Sequence, residues 1–83
     1  MEHLNLEVIT PVKTLYNATI VSVTVPGESG SFTILQDHAA IISILTSGQV
    51  RCIGQDGVEH FYDCKSGVVE CKDNRVVVLI ETK

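Results

Sequence analysis

Turn-forming residues cut this chain at short, regular intervals, and that punctuation limits its fold more than any other feature. Thr10-Pro11, Pro26-Gly27, Gly30, Ser47-Gly48, Gly54, Asp56-Gly57, Ser66-Gly67 and Asp73-Asn74 all read as turns. Glycine supplies positive φ, proline fixes φ, and Asn or Asp bond their own backbone. The intervals between them are mostly about four to nine residues, the length of a strand. They are rich in Val, Ile, Thr, Phe and Tyr, which suit a pleated, half-buried surface.

Alternation supports the strands. Leu4-Asn5-Leu6-Glu7-Val8 and Val21-Ser22-Val23-Thr24-Val25 each place three apolar side chains on one face of a sheet, because a strand repeats every second residue. Residues 76–80 are continuously apolar, so that strand is expected to be covered on both faces. Nothing reads as a long amphipathic helix. The best helical candidate, residues 36–42, runs into Ile41-Ile42-Ser43-Ile44. It is read as a turn at Gln36-Asp37-His38 followed by a strand. Strands at this spacing imply an all-β sandwich or barrel. No repeat, linker or low-complexity tract divides residues 1–83, so a single domain is expected.

A chain of 83 residues buries only about 60% of its extended-state surface, enough for one small core. The net charge is −4, and Lys13, Arg51, Lys65, Lys72, Arg75 and Lys83 are scattered. Nucleic acid and anionic membrane surfaces both demand clustered cations, so neither is an expected partner. No apolar run approaches the roughly 20 residues that a bilayer-crossing helix needs. The opening Met1-Glu2-His3-Leu4 lacks the basic and apolar stretches of a secretion signal. A cytosolic address follows. Cys52, Cys64 and Cys71 form no Cys-x-x-Cys pair and are expected as reduced core residues.

Chemistry is sparse. No Gly-x-Ser-x-Gly elbow is present, and the neighbours Asp37 and His38 would point to opposite faces of a strand. No catalytic residues are expected. His60, Tyr62 and Cys64 would share a strand face, so a metal could meet His60 and Cys64, but the paired short spacings of zinc sites are missing. The cysteines read more simply as small apolar side chains. Pro26-Gly27-Glu28-Ser29-Gly30 lacks the Gly-Lys-Ser/Thr of a phosphate loop, and Glu28 would repel phosphate. It reads as a wide β-turn. No cofactor, metal or small-molecule substrate is expected.

The run Val25-Pro26-Gly27-Glu28-Ser29-Gly30-Ser31-Phe32-Thr33-Ile34-Leu35-Gln36-Asp37-His38-Ala39 resembles the signature of the F-type ATP synthase epsilon subunit. That family shows Val-Pro-Gly-x-x-Gly-x-Phe/Leu-Gly-Ile-Leu and, two residues later, His-Ala-Pro. The resemblance covers nearly the whole chain. Leu6-x-x-Ile9-Thr10-Pro11-x-Lys13-x-Leu15-Tyr16 is similar to the family's opening strand and turn. Leu45-x-x-Gly48-x-Val50-Arg51, Ser66-Gly67-Val68-Val69-Glu70 and Asn74-x-Val76-x-Val78-Leu79 follow in the family's order. Thr33 stands where the family usually has Gly, Ala40 where it has Pro, and Ser66 where it has the first Gly of a pair. The side chain at Thr33 excludes a positive-φ glycine role. Losing Pro at position 40 restores a backbone donor and loosens the loop.

The resemblance implies a two-sheet β-sandwich of about ten short strands at the foot of a rotor stalk, touching the gamma subunit and the c ring. It implies transmission of torque, coupling ion flow to ATP synthesis, at the cytoplasmic face of a bacterial inner membrane without insertion into it. By the family pattern, gamma contacts fall on His38, Ala39, Ala40, Ile41 and Ile42, and c-ring contacts on Glu28, Ser29, Gly30 and Ser31. Many members add a C-terminal helical hairpin that restrains ATP hydrolysis and sometimes binds ATP. The sequence reads as a short form without it, so those two roles are not carried over. Two rival readings stand beside this one. One is an unrelated sandwich that binds peptide or sugar, with only Tyr16, Phe32, Phe61 and Tyr62 as aromatics. The other is a small metal-binding β protein built on His60 and Cys64.

Overall fold

Apolar side chains at every second position commit the start of the chain to a strand. In β1 (Leu4–Ile9), Leu4, Leu6 and Val8 are buried while Asn5 is exposed. The computed structural model describes residues 3–82. It continues with β2 (Thr14–Gly27), β3 (Gly30–Ile34), β4 (Ile41–Leu45), β5 (Gly48–Gly54), β6 (Glu59–Cys64), β7 (Ser66–Lys72) and β8 (Arg75–Glu81), and the described residues contain no helix. Neighbouring strands follow the order β1-β8-β7-β4-β2-β5-β6, with β3 on β2 and a further pairing of β1 with β2. The all-β expectation holds, but eight strands form rather than about ten. One reason is that β2 runs 14 residues without a break and serves both layers. Its first half pairs with β1, and its second half pairs with β3 and β5.

Two local devices make that long strand possible. Ile20 pairs with Gly54 and Ser22 with Ile53, which leaves Val21 as an extra residue. Such a β-bulge bends a strand and increases its twist. It also shifts the alternation, so Val23 and Val25 are fully buried while Val21 is 52% exposed. The three valines therefore do not share one face as the sequence pattern suggests. The second device is Pro26, expected in a turn but found inside β2, paired with Ser31. A residue's N–H and C=O point to the same side of an extended strand. The Pro26 carbonyl accepts from Thr46 N at 2.8 Å, so the missing donor faces β4. There β2 makes only the single pairing Gly27–Leu45, and strand proline is tolerated where no ladder bond is lost. The turn itself is Glu28-Ser29, and Gly30 closes it with φ 130°.

The layers enclose one core. Val8, Val23, Val25, Ile34, Val50, Cys52, Val69, Val78 and Ile80 are fully covered. Burying a side chain of Val or Ile size contributes about 1.5–3 kcal/mol. Ser66-Gly67, expected in a turn, lies inside β7, and Lys65 makes the bend. Gly67 pairs with Ile80, and a Cβ there would collide with the Leu79 carbonyl oxygen. Glycine within a strand marks this kind of close backbone approach.

Candidate functional site

The strand expected to be covered on both faces is covered on one. Val76, Val78 and Ile80 of β8 point into the core, but Leu79 is 38% exposed and Val77 half-buried. Register extends this apolar face across the layer. Ile44 of β4 pairs with Val68, Val68 with Leu79, and Leu79 with Ile9. Partners in register share a face, so these four side chains form a row over β4, β7, β8 and β1. Beside it runs a second row of Ile42, Glu70, Val77 and Glu7. Ile42 and Ile44 are 71% and 60% exposed. A shallow depression of about 340 Å³ lies against the first row, lined by Pro11, Ile44, Val68, Leu79 and Glu81 among others. A contiguous apolar strip with an acidic rim is the usual anatomy of a protein-docking face.

The segment singled out in the sequence adjoins that strip. Ala39 and Ala40 are exposed, His38 is half-buried, and Ile41 turns inward to pack on the core. Only Ile42 of the five projects into the strip. His38 N–H donates to the Leu35 carbonyl at 3.2 Å, and the His38 ring Nδ1 lies 2.7 Å from the Ala39 carbonyl. The loop, with Ala rather than Pro at position 40, is gripped through its preceding turn. Asp37 N–H donates to Asn74 Oδ1 at 2.6 Å, and Asn74 Nδ2 donates to Asp37 Oδ1 at 3.0 Å.

Glu28, Ser29, Gly30 and Ser31 form the exposed tip of the β2–β3 hairpin. Glu28 N–H donates to the Ile44 carbonyl at 3.0 Å, tying the tip to the far end of β4. The two sequence-derived segments thus sit toward different ends of β4, Ile42 and the tip's contact at Ile44 being about 7 Å apart at roughly 3.3 Å per residue. Ile44, Val68 and Leu79 were not singled out from the sequence. Their signal was available in the doubled apolar character of residues 41–45 and 76–80, where both faces carry Ile, Leu or Val.

The metal reading finds little support. His60, Tyr62 and Cys64 do share the inward face of β6. His60, however, packs at a tilt against Tyr16, 5.1 Å between ring centroids, and the Tyr16 ring lies 6.2 Å from that of Tyr62. Among the described residues, no three His, Cys, Asp or Glu side chains gather as a metal would require. The thiols of Cys52, Cys64 and Cys71 are free and buried, and burial pushes each above the usual thiol range. At Cys52 a backbone hydrogen bond involving His60 pulls weakly the other way.

Burial excludes the charged thiolate from the core. Thiol reagents at neutral pH are therefore expected to leave all three cysteines unlabelled in the folded chain and to label them in urea. Labelling of any one at a free-thiol rate would place it outside the core. The linkage has a definite sign. Folded-state pKa values above the ordinary value of about 8.5 give stability that is complete below that pH and is lost as pH rises through the raised values.

Taken together, the fold and surface define a small β-sandwich with an open apolar strip on one face. The profile described as "ATP synthase, Delta/Epsilon chain, beta-sandwich domain" matches residues 3–83, and the chain belongs to that family. It is 37% identical over 81 residues to an ATP synthase epsilon chain of Sulfurimonas denitrificans, covering 98% of this chain and 62% of that protein. It is 33% identical over 76 residues to the epsilon chain of Chlorobium limicola, covering 92% of this chain and 86% of that one. Among solved structures, a chain of the Euglena gracilis mitochondrial ATP synthase superposes with a TM-score of 0.87 at 15% identity, over 94% of this chain and 50% of its own. A chain of the Tetrahymena thermophila mitochondrial ATP synthase central stalk and c ring gives 0.79 at 18% identity, over 95% and 63%. At those identities the superpositions speak to the fold alone.

Proposed function

We propose that this chain is a non-catalytic rotor-stalk part of an F-type ATP synthase, holding the gamma subunit on one side and the c ring on another. In this reading it turns with both and couples ion flow to ATP synthesis, peripheral to the cytoplasmic face of a bacterial membrane. One observation carries the docking assignment: the row Ile44, Val68, Leu79 and Ile9 is apolar, contiguous and open, although every other side chain along β8 is buried. Gamma sits on this strip and on its border at His38, Ala39, Ala40 and Ile42, while Ile41 supports the border from the core side. The c ring meets the polar tip Glu28, Ser29, Gly30 and Ser31, at the other end of β4. The tip adjoins the Ile44 end of the strip through the Glu28–Ile44 bond, so the two partners meet this chain side by side, and the close-packed sandwich beneath them deforms little.

Ile44→Asp and Ala40→Arg test the placement. Both residues are exposed, so the melting temperature of each variant is expected to stay close to that of the wild type. A central apolar anchor is worth about 2 kcal/mol or more, so Ile44→Asp is expected to weaken gamma binding roughly thirtyfold. Ala40→Arg, at the border, is expected to cost about tenfold. Unchanged gamma affinity in both variants, measured by titration of the purified chain, would remove the strip from the interface.

A further inference from the structure

We infer that Asn74 and Asp37 form a positioning latch that fixes how the 38–42 segment is presented to its partner; this rests on the reading of that segment as the gamma-docking border. Asn74 is the one buried polar residue among those described, 8% exposed. It occupies the β7–β8 turn with φ 63°, and Asp37 occupies its own turn with φ 66°. Positive φ alone would be met at either position by glycine. An asparagine adds a carboxamide that must be hydrogen-bonded to be buried without penalty.

Both ends of that carboxamide are spent on the same residue. The oxygen accepts the Asp37 backbone N–H at 2.6 Å, and the nitrogen donates to the Asp37 carboxylate at 3.0 Å. The Asn74 carbonyl in turn accepts Asn5 N–H at 2.9 Å, which anchors the turn to β1. The loop between β3 and β4 is thereby clamped at two points, one residue before His38, to the rigid β1–β7–β8 end of the sandwich. Two contacts on one residue fix orientation as well as position. A docking segment held in its bound shape spares the ordering cost of association. Without the clamp, only a fraction of chains present residues 38–42 correctly, and apparent affinity falls by that fraction.

The decisive variants keep the turns intact. Asn74→Gly removes the carboxamide and suits φ 63°. Asp37→Asn keeps an oxygen to accept from Asn74, keeps the backbone N–H and tolerates φ 66°. Ala40→Arg alters the docking border without touching the latch. Dissociation constants for the purified gamma subunit are measured well below each melting transition, together with amide exchange of the free chain. Asn74→Gly is expected to raise the dissociation constant roughly thirtyfold, as loss of two net hydrogen bonds implies, while Asp37→Asn stays within about twofold. The Asp37 amide is expected to exchange faster in Asn74→Gly, while amides of β7 and β8 keep their protection.

Wild-type affinity in Asn74→Gly beside weakened binding in Ala40→Arg would overturn the latch and leave the docking reading standing. Wild-type affinity in Ala40→Arg would instead overturn the docking border itself. Equal losses in Asn74→Gly and Asp37→Asn would make the Asp37 charge the determinant and also overturn the latch.

Discussion

Val23→Asp is expected to leave the chain unfolded at room temperature. Val23 is fully buried, and it sits where β2 pairs with β3 on one side and β5 on the other, opposite Ile34 and Cys52. No cation is among those partners to pair with a carboxylate. An unpaired buried charge costs several kcal/mol, and a domain of this kind has only about 5–15 kcal/mol of total stability, with small ones near the bottom. Far-ultraviolet circular dichroism against temperature reads the result directly. A cooperative melt within about two degrees of the wild type, against the roughly 4–8 °C expected per kcal/mol, would show that the side chain escapes the core.

Gly67→Ala carries the second large effect, for a different reason. The added methyl group meets the Leu79 carbonyl oxygen and approaches the Ile80 Cα at 3.1 Å. These are backbone atoms of the neighbouring strand, so no rotamer change relieves the contact, and β7 and β8 must separate locally. Overpacking of a rigid site costs about 1–3 kcal/mol, and a backbone clash belongs at the upper end. The melting temperature is expected to fall by roughly 12–24 °C. Ser66→Ala, next door and exposed, is expected to move stability by less than about 0.5 kcal/mol. Equal melting of the two variants would show that the strands can move apart freely.

The sequence read well wherever one residue decided one thing. Alternation at Leu4, Leu6 and Val8 gave β1 and its buried face. Asp73-Asn74 and Asp56-Gly57 gave turns, with φ of 52° and 63° at the first and 83° at Gly57. It misled where a distant partner set the meaning. Pro26 looked like a breaker because nothing local reveals that its donor-free side faces a ladder ending after one pair. Gly67 looked like a turn because its collision partner, Leu79, is 12 residues away. The bulge at Val21 appears only once β5 is in register beside it. Residues 76–80 marked an unusual surface, but the pattern alone does not distinguish a second intramolecular cover from an open face. The loop before β4 illustrates the same division. Its motif at position 38 and beyond is visible in the sequence, whereas the grip of Asn74 on Asp37 spans 37 residues and only the fold brings it together.

The parallel pairing of β1 with β8, five residues in register from Asn5–Arg75 to Ile9–Leu79, has a mechanical consequence. Tension applied through Leu4 and Glu81 pulls these neighbours lengthwise past each other. Their evenly spaced bonds then share the load and must fail together, rather than peeling open one after another. Rupture under force is governed by the barrier to unfolding rather than by equilibrium stability. A lengthwise pull on the two ends of the described chain thus meets this seam in shear.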